Sequence, residues 1–167
     1  DNLNIFRGFM TSMMEQNLQN EIATYLDSIG VEENKVKPQR GGEKPTKSRD
    51  KIVALLSKDG NTLYLTFNQG CTEIRNTHSK AETIKIMRQK AAEIVSQIDG
   101  RGFTSDENVN LGSGLTELGE LYQRGTIFYK AYRKGNVPSS EELVDDLNKM
   151  MAIYKEYTAS LGLSTKQ

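Results

Sequence analysis

Residues 58–70 read KDGNTLYLTFNQG, and this stretch decides the fold. Asp59-Gly60 is a tight-turn pair, because glycine enters the positive-φ conformations that a short reversal between strands needs. Beyond it, Leu63, Leu65 and Phe67 alternate with Thr62, Tyr64 and Thr66, the period of a strand with one face on a core and Tyr64 on the other. The run ahead of the turn, IVALLS at 52–57, is apolar enough to be its partner. Runs 52–57 and 63–68 therefore predict an antiparallel hairpin.

Helical periodicity dominates the flanks. Residues 80–98 carry Ile84, Met87, Ala91, Ile94, Val95 and Ile98 on one stripe and stop at Gly100 and Gly102. After Pro138, Ser139 and Glu142 stand at capping-box spacing, and Leu143, Leu147, Met150, Tyr154, Tyr157 and Leu161 keep a 3-4 rhythm up to Gly162. That face is expected to pack on the sheet. Residues 3–29 read as a helix broken near 16–19 and closed by Gly30, with Met10, Met13 and Met14 as core filler. Between the helices, residues 103–120 are rich in glycine and acid, and predict a short strand at 109–111 followed by a turn through 112–114. In YQRGTIFYKAY, residues 122–132, Ile127 with Ala131 and Phe128 with Tyr132 stand at i,i+4, which favours a short helix. The sum is an α+β fold, a small curved antiparallel β-sheet packed by several α-helices, in a single domain spanning 1–167.

A chain of 167 residues is long enough for one real core, since a domain of this size hides roughly 70% of its unfolded surface. The 22 basic and 22 acidic residues cancel, so any attraction to nucleic acid must be local. One local excess stands out at 35–51, KVKPQRGGEKPTKSRDK, where seven basic side chains face only Glu43 and Asp50. The plain reading is a solvated linker. The functional reading makes it a phosphate-contacting loop, with Gly41 and Gly42 allowing close backbone approach and Lys37, Arg40, Lys44, Lys47 and Arg49 as the candidate phosphate partners. Such contacts supply affinity and register but no sequence information.

Cys71 is the only cysteine, which excludes an internal disulfide and suits a reducing cytoplasm. No apolar run approaches the ~18 residues of a membrane span, and no signal-peptide pattern is present. The chain starts at Asp1 rather than Met and is expected to be an excised piece of a longer protein.

Catalytic ingredients are scarce. The glycine-rich GSGLTELGE at 112–120 lacks the lysine of a phosphate-binding Walker loop, and its carboxylates would repel a triphosphate. His78, the sole histidine, lies just ahead of a helix and reads as a loop or cap residue rather than half of a dyad. Glu117 with Glu120, or Glu141, Glu142, Asp145 and Asp146, could be imagined as a metal-nuclease cluster, but the second group occupies the start of a helix, where carboxylates suit the macrodipole without any metal. Neither a metal nor a cofactor is expected, and the domain is read as noncatalytic. Tyr64, Phe67, Tyr122, Phe128, Tyr129 and Tyr132 remain, as core residues or as base-stacking rings.

The order and spacing of KDGNTLYLTFNQG, YQRGTIFYKAY and the helix opening PSSEELVDDL resemble the N-terminal DNA-recognition domain of McrB-type subunits of modification-dependent restriction systems. The resemblance runs from about residue 52 to 157. It implies a domain that binds double-stranded DNA, in the first place methylated DNA, by turning the modified base out of the helix and holding it between a ring and aliphatic walls; flipping costs a few kcal/mol of unstacking that such a pocket recovers. By this resemblance Leu55 stands at an aliphatic pocket position and Tyr122 at the stacking ring, with Tyr64 as a third pocket candidate. The resemblance also implies an AAA+ GTPase domain in the same full-length protein and a separate McrC-type nuclease subunit, and no membrane. The chain departs from the family in having no tryptophan, where relatives carry a Pro-Trp strand after a glycine-rich ribbon; here the ribbon resembles only VKPQRGGEKP. A protein-interaction or assembly module of the same fold, without modified-base specificity, is the alternative.

Overall fold

The computed structural model describes residues 50–160. The helix expected over 3–29, the basic segment through residue 49, and Leu161 with Gly162 lie outside the described residues.

Strands β1 (Lys51–Leu56) and β2 (Thr62–Asn68) form the expected hairpin, in antiparallel register from Leu56 opposite Leu63 to Lys51 opposite Asn68. The turn closes through Gly60 N–H on the Ser57 carbonyl at 2.9 Å, and Gly60 has φ 77°, a conformation that a side chain would strain. Helix α1 (Thr72–Thr77) is followed by α2 (Lys80–Gln97), which starts with a full capping box between Ser79 and Glu82. Helix α3 (Glu117–Arg124) leads into strand β3 (Thr126–Arg133), and α4 (Ser140–Ser160) ends the described chain. The sheet is open, with order β1-β2-β3 and both pairings antiparallel. Among the described residues no helix is long and apolar enough to cross a membrane.

Two apolar layers share this sheet. On one face Ile52, Ala54, Leu63, Leu65 and Phe67 meet Ala91, Ile94 and Ile98 at α2 and Leu143, Leu147, Met150, Ile153, Tyr154 and Tyr157 of α4. The 3-4 stripe read from the last helix is thus its buried face, each fully covered aliphatic side chain contributing about 2 kcal/mol. On the other face Val53, Leu55, Tyr64 and Tyr129 are covered by Val109, Leu111 and Tyr122, with Leu115, Leu118 and Ala131 at the margin. β2 is consequently buried along its entire length rather than on one face alone.

That double cover explains a correction. Residues 126–133 are a strand, where the i,i+4 pairs predicted a helix over 122–132; only Tyr122–Arg124 belong to a helix, the end of α3. In β3, Ile127, Phe128 and Tyr129 are all buried because each face has a layer against it, so the alternation that betrays a strand is absent. Gly125 makes the corner between α3 and β3: a Cβ there would lie 2.9 Å from both the Leu121 carbonyl oxygen and Asn68 Oδ1. The short strand expected at 109–111 is also absent; this segment is irregular, held by Lys58 N–H on the Leu111 carbonyl at 2.9 Å, and the turn through Gly112 and Gly114 follows with φ 112° and 69°. At the other end of the basic run, Asp50 is buried near the Tyr157 phenol, whose pKa is raised by burial and by the Asp50 charge, and Lys51 already belongs to β1.

Candidate functional site

Leu55 and Tyr64 are directly opposed across β1 and β2, and Ala131 of β3 stands opposite Tyr64 on the same row. Tyr122 arrives from the last turn of α3 and joins them in the layer that faces away from α2 and α4. The three pocket candidates, distant in sequence, are therefore in one cluster. They are also enclosed: relative exposure is 0% for Leu55, 4% for Tyr64 and 8% for Tyr122, so a ligand reaches them only if the covering residues move.

Phenol groups fasten the cover. Tyr64 packs edge-to-face on Tyr129 with centroids 5.8 Å apart, and its hydroxyl donates to the Asn110 carbonyl while accepting from the Asn110 N–H, each at 3.3 Å. The Tyr129 hydroxyl donates to Asp106 at 2.5 Å. Burial and this bond push the Tyr129 pKa up to about 12, while the same bond holds the Asp106 carboxyl below its usual range. Leu111 N–H donates to Gln123 Oε1 at 2.7 Å. The irregular segment is thus a wall held by a handful of polar contacts rather than by strand pairing.

Beside this wall a groove of about 730 Å³ opens between the β1–β2 turn and residues 108–113. Lys58 and Asp59 line it from the turn, Thr62 and Tyr64 from β2, and Arg133 from the end of β3. Sequence reading singled out Tyr64 alone of these, because one lysine and one arginine 75 positions apart form no local charge run.

A second polar centre holds the layer together. Asn68, buried at the end of β2 where the register shifts, donates through Nδ2 to Thr66 Oγ1, the Tyr122 carbonyl and Thr126 Oγ1 at 3.1–3.2 Å. Its Oδ1 accepts from Gln69 N–H at 3.0 Å, and Gln69 Nε2 donates to the Met87 carbonyl at 2.9 Å. Tyr122 therefore has its backbone clamped while its side chain belongs to the same buried cluster as Leu55 and Tyr64.

The remaining candidates resolve as structural groups. His78 caps α1, its Nδ1 3.1 Å from the Ile74 carbonyl. Glu117 pairs with Arg75 at 2.7 Å and Glu120 with Lys80; Glu142 and Asp146 share Lys130, and Asp146 also accepts from the Tyr132 hydroxyl at 2.7 Å. Among the described residues no three His, Cys, Asp or Glu side chains gather as metal ligands would. The phosphate candidates Lys37, Arg40, Lys44, Lys47 and Arg49 lie outside the described residues.

Residues 44–159, more than two thirds of the chain, match the family model described as MrcB-like, N-terminal domain. No curated protein and no solved structure matches the chain.

Proposed function

The chain belongs to the MrcB-like N-terminal domain family, and from that premise we propose that it is the noncatalytic DNA-specificity domain of a modification-dependent restriction system. It binds duplex DNA, flips a modified base and receives it in the layer of Leu55, Tyr64 and Tyr122. Family membership carries this reading. Its support from geometry is that the three side chains converge in one cluster, with an aliphatic wall and two rings, the composition that senses an added methyl group. In the full-length protein an AAA+ GTPase domain acts in cis and a McrC-type nuclease subunit is recruited.

Because Leu55, Tyr64 and Tyr122 are enclosed, the base enters by displacing the wall at 108–118, whose Leu115 and Leu118 are only partly buried. The test is a binding series on one duplex carrying in turn cytosine, 5-methylcytosine, 5-hydroxymethylcytosine and N6-methyladenine, with 2-aminopurine at the target position to report loss of stacking. One modification should be preferred and should brighten the probe. Stacking on a ring contributes ~1–3 kcal/mol, so Tyr122→Leu should weaken the preferred site by about one to two orders of magnitude and leave non-specific binding nearly unchanged. Tyr122→Phe, which keeps the ring, should retain preference. A melt that drops steeply with proportionate loss on every duplex would instead make Tyr122 a core residue alone, and DNA binding without preference or brightening would leave a backbone-only binder.

A further inference from the structure

We propose that the groove between the β1–β2 turn and residues 108–113 is a seat for the sugar–phosphate of a nucleic-acid strand, with Lys58 and Arg133 as its cationic jaws. The inference rests on the DNA-binding reading and adds a phosphate site built from residues outside the basic run 35–51. Lys58 reaches the groove from the turn, and Arg133 from the far end of β3, so the sheet itself sets their separation.

Both cations are engaged with neutral oxygens. Lys58 Nζ donates to the carbonyls of Ser113 and Gly114 at 3.2 Å each, and Arg133 Nη1 donates to Thr62 Oγ1 at 3.1 Å. Neutral partners orient a cation without cancelling its charge, and both side chains are exposed, so both remain able to meet an anion. One carboxylate also lines the groove. Asp59 Oδ1 accepts from the Ser57 hydroxyl at 2.7 Å and from Asn61 N–H at 2.9 Å, bonds that hold it in the turn and keep its pKa below the usual range. Two cations against one locally engaged carboxylate leave a net positive groove.

Size and lining narrow the anion. A volume of about 730 Å³ lies within the range of about 300–1,000 Å³ typical of small-molecule pockets and exceeds what a bare phosphate fills. Tyr64 meets it with only a small exposed part, the Leu111 side chain being fully buried, and the Thr62 hydroxyl, which accepts from Arg133, stands beside the cation. Tyr64 and Leu111 also belong to the enclosed layer. A strand lying in the groove would therefore present its next nucleotide to that layer, which an acidic peptide has no reason to do.

The experiment is titration of the 167-residue chain onto a fluorescein-labelled duplex between 50 and 200 mM KCl, read by anisotropy, with melts of each variant alongside. Arg133→Gln combined with Lys58→Met should weaken binding about tenfold at the low-salt end and make the log–log salt slope shallower by up to roughly two units, at ~0.9 per phosphate neutralised. Arg133→Lys with Lys58→Arg should restore the slope. Since Lys58 also holds two loop carbonyls, Arg133→Gln alone carries the test if the double variant melts early, with a change of up to about one unit expected. An unchanged slope in a stably folded variant overturns the seat while leaving the DNA-binding reading intact. Absence of duplex binding by the parent chain at every salt concentration overturns both. Displacement of the duplex from this site by polyglutamate as effective as by a charge-matched oligonucleotide overturns the assignment to a nucleic-acid strand.

Discussion

Tyr129 shows how one side chain can serve packing and hold a charge at once. Its ring meets Tyr64 inside the second layer, while its hydroxyl fixes Asp106 at the rim. A phenol whose folded pKa is raised to about 12 stabilises the fold fully below the unfolded value near 10 and loses that contribution as pH climbs through 12. Burial pushes Tyr132 and Tyr157 upward as well, in the helix-backed layer, so alkali strains both faces. Stability measured as a denaturant midpoint should fall progressively from pH 10 to 12, and less steeply in Tyr129→Phe than in the parent. Equal slopes in the two proteins would refute the role of this phenol. Residue-scale reading from sequence was uneven for a physical reason. Tyr64 and Tyr122 attract attention as rings, whereas Asn68, which knits together Tyr122, Thr126 and the end of β2, sits in NQG and looks like turn punctuation. Its partners are 54 and 58 positions away, and nothing local announces them.

Elements were legible where a water-facing side or a turn pair marked them. Helices α2 and α4 each present a polar and an apolar side, and their periods survive in the sequence; the hairpin, though buried on both faces, is marked by Asp59-Gly60 and by Thr and Tyr alternating with Leu and Phe, whereas β3, also covered on both sides, lacks such marks and reads as an apolar run with helical spacing. Caps carried further signal: Ser79 with Glu82 has the same spacing as Ser139 with Glu142, and marks the start of α2 as plainly. At α4 the Ser139 hydroxyl accepts from Glu142 N–H at 3.1 Å, and the helix it starts supplies much of one core. Ser139→Ala should therefore cost about 1 kcal/mol in chemical denaturation, with the unfolding cooperativity unchanged. No measurable loss would mean that the first turn is held by packing alone.

At the scale of the molecule, the described residues sandwich three strands between unlike partners. Two helices of 18 and 21 residues back one face, whereas a helix of 8 residues and an irregular wall back the other. The candidate site belongs wholly to the weaker side; periodicity alone could not group Leu55, Tyr64 and Tyr122, because the wall has no period to read, and it was the family resemblance that named them together. Unequal backing implies unequal lifetimes. Amide protons of β2 and of the middle of α4 should exchange with deuterium only through global unfolding, while those of 108–118 should exchange orders of magnitude faster, through a partial opening that leaves the helix-backed half intact. Exchange of the two sets at one common rate would mean that the molecule opens all at once. If the hierarchy holds, the side that the proposed function asks to yield to a base is also the side that melts first, and the strand shared by both layers lets one half breathe while the other keeps the fold.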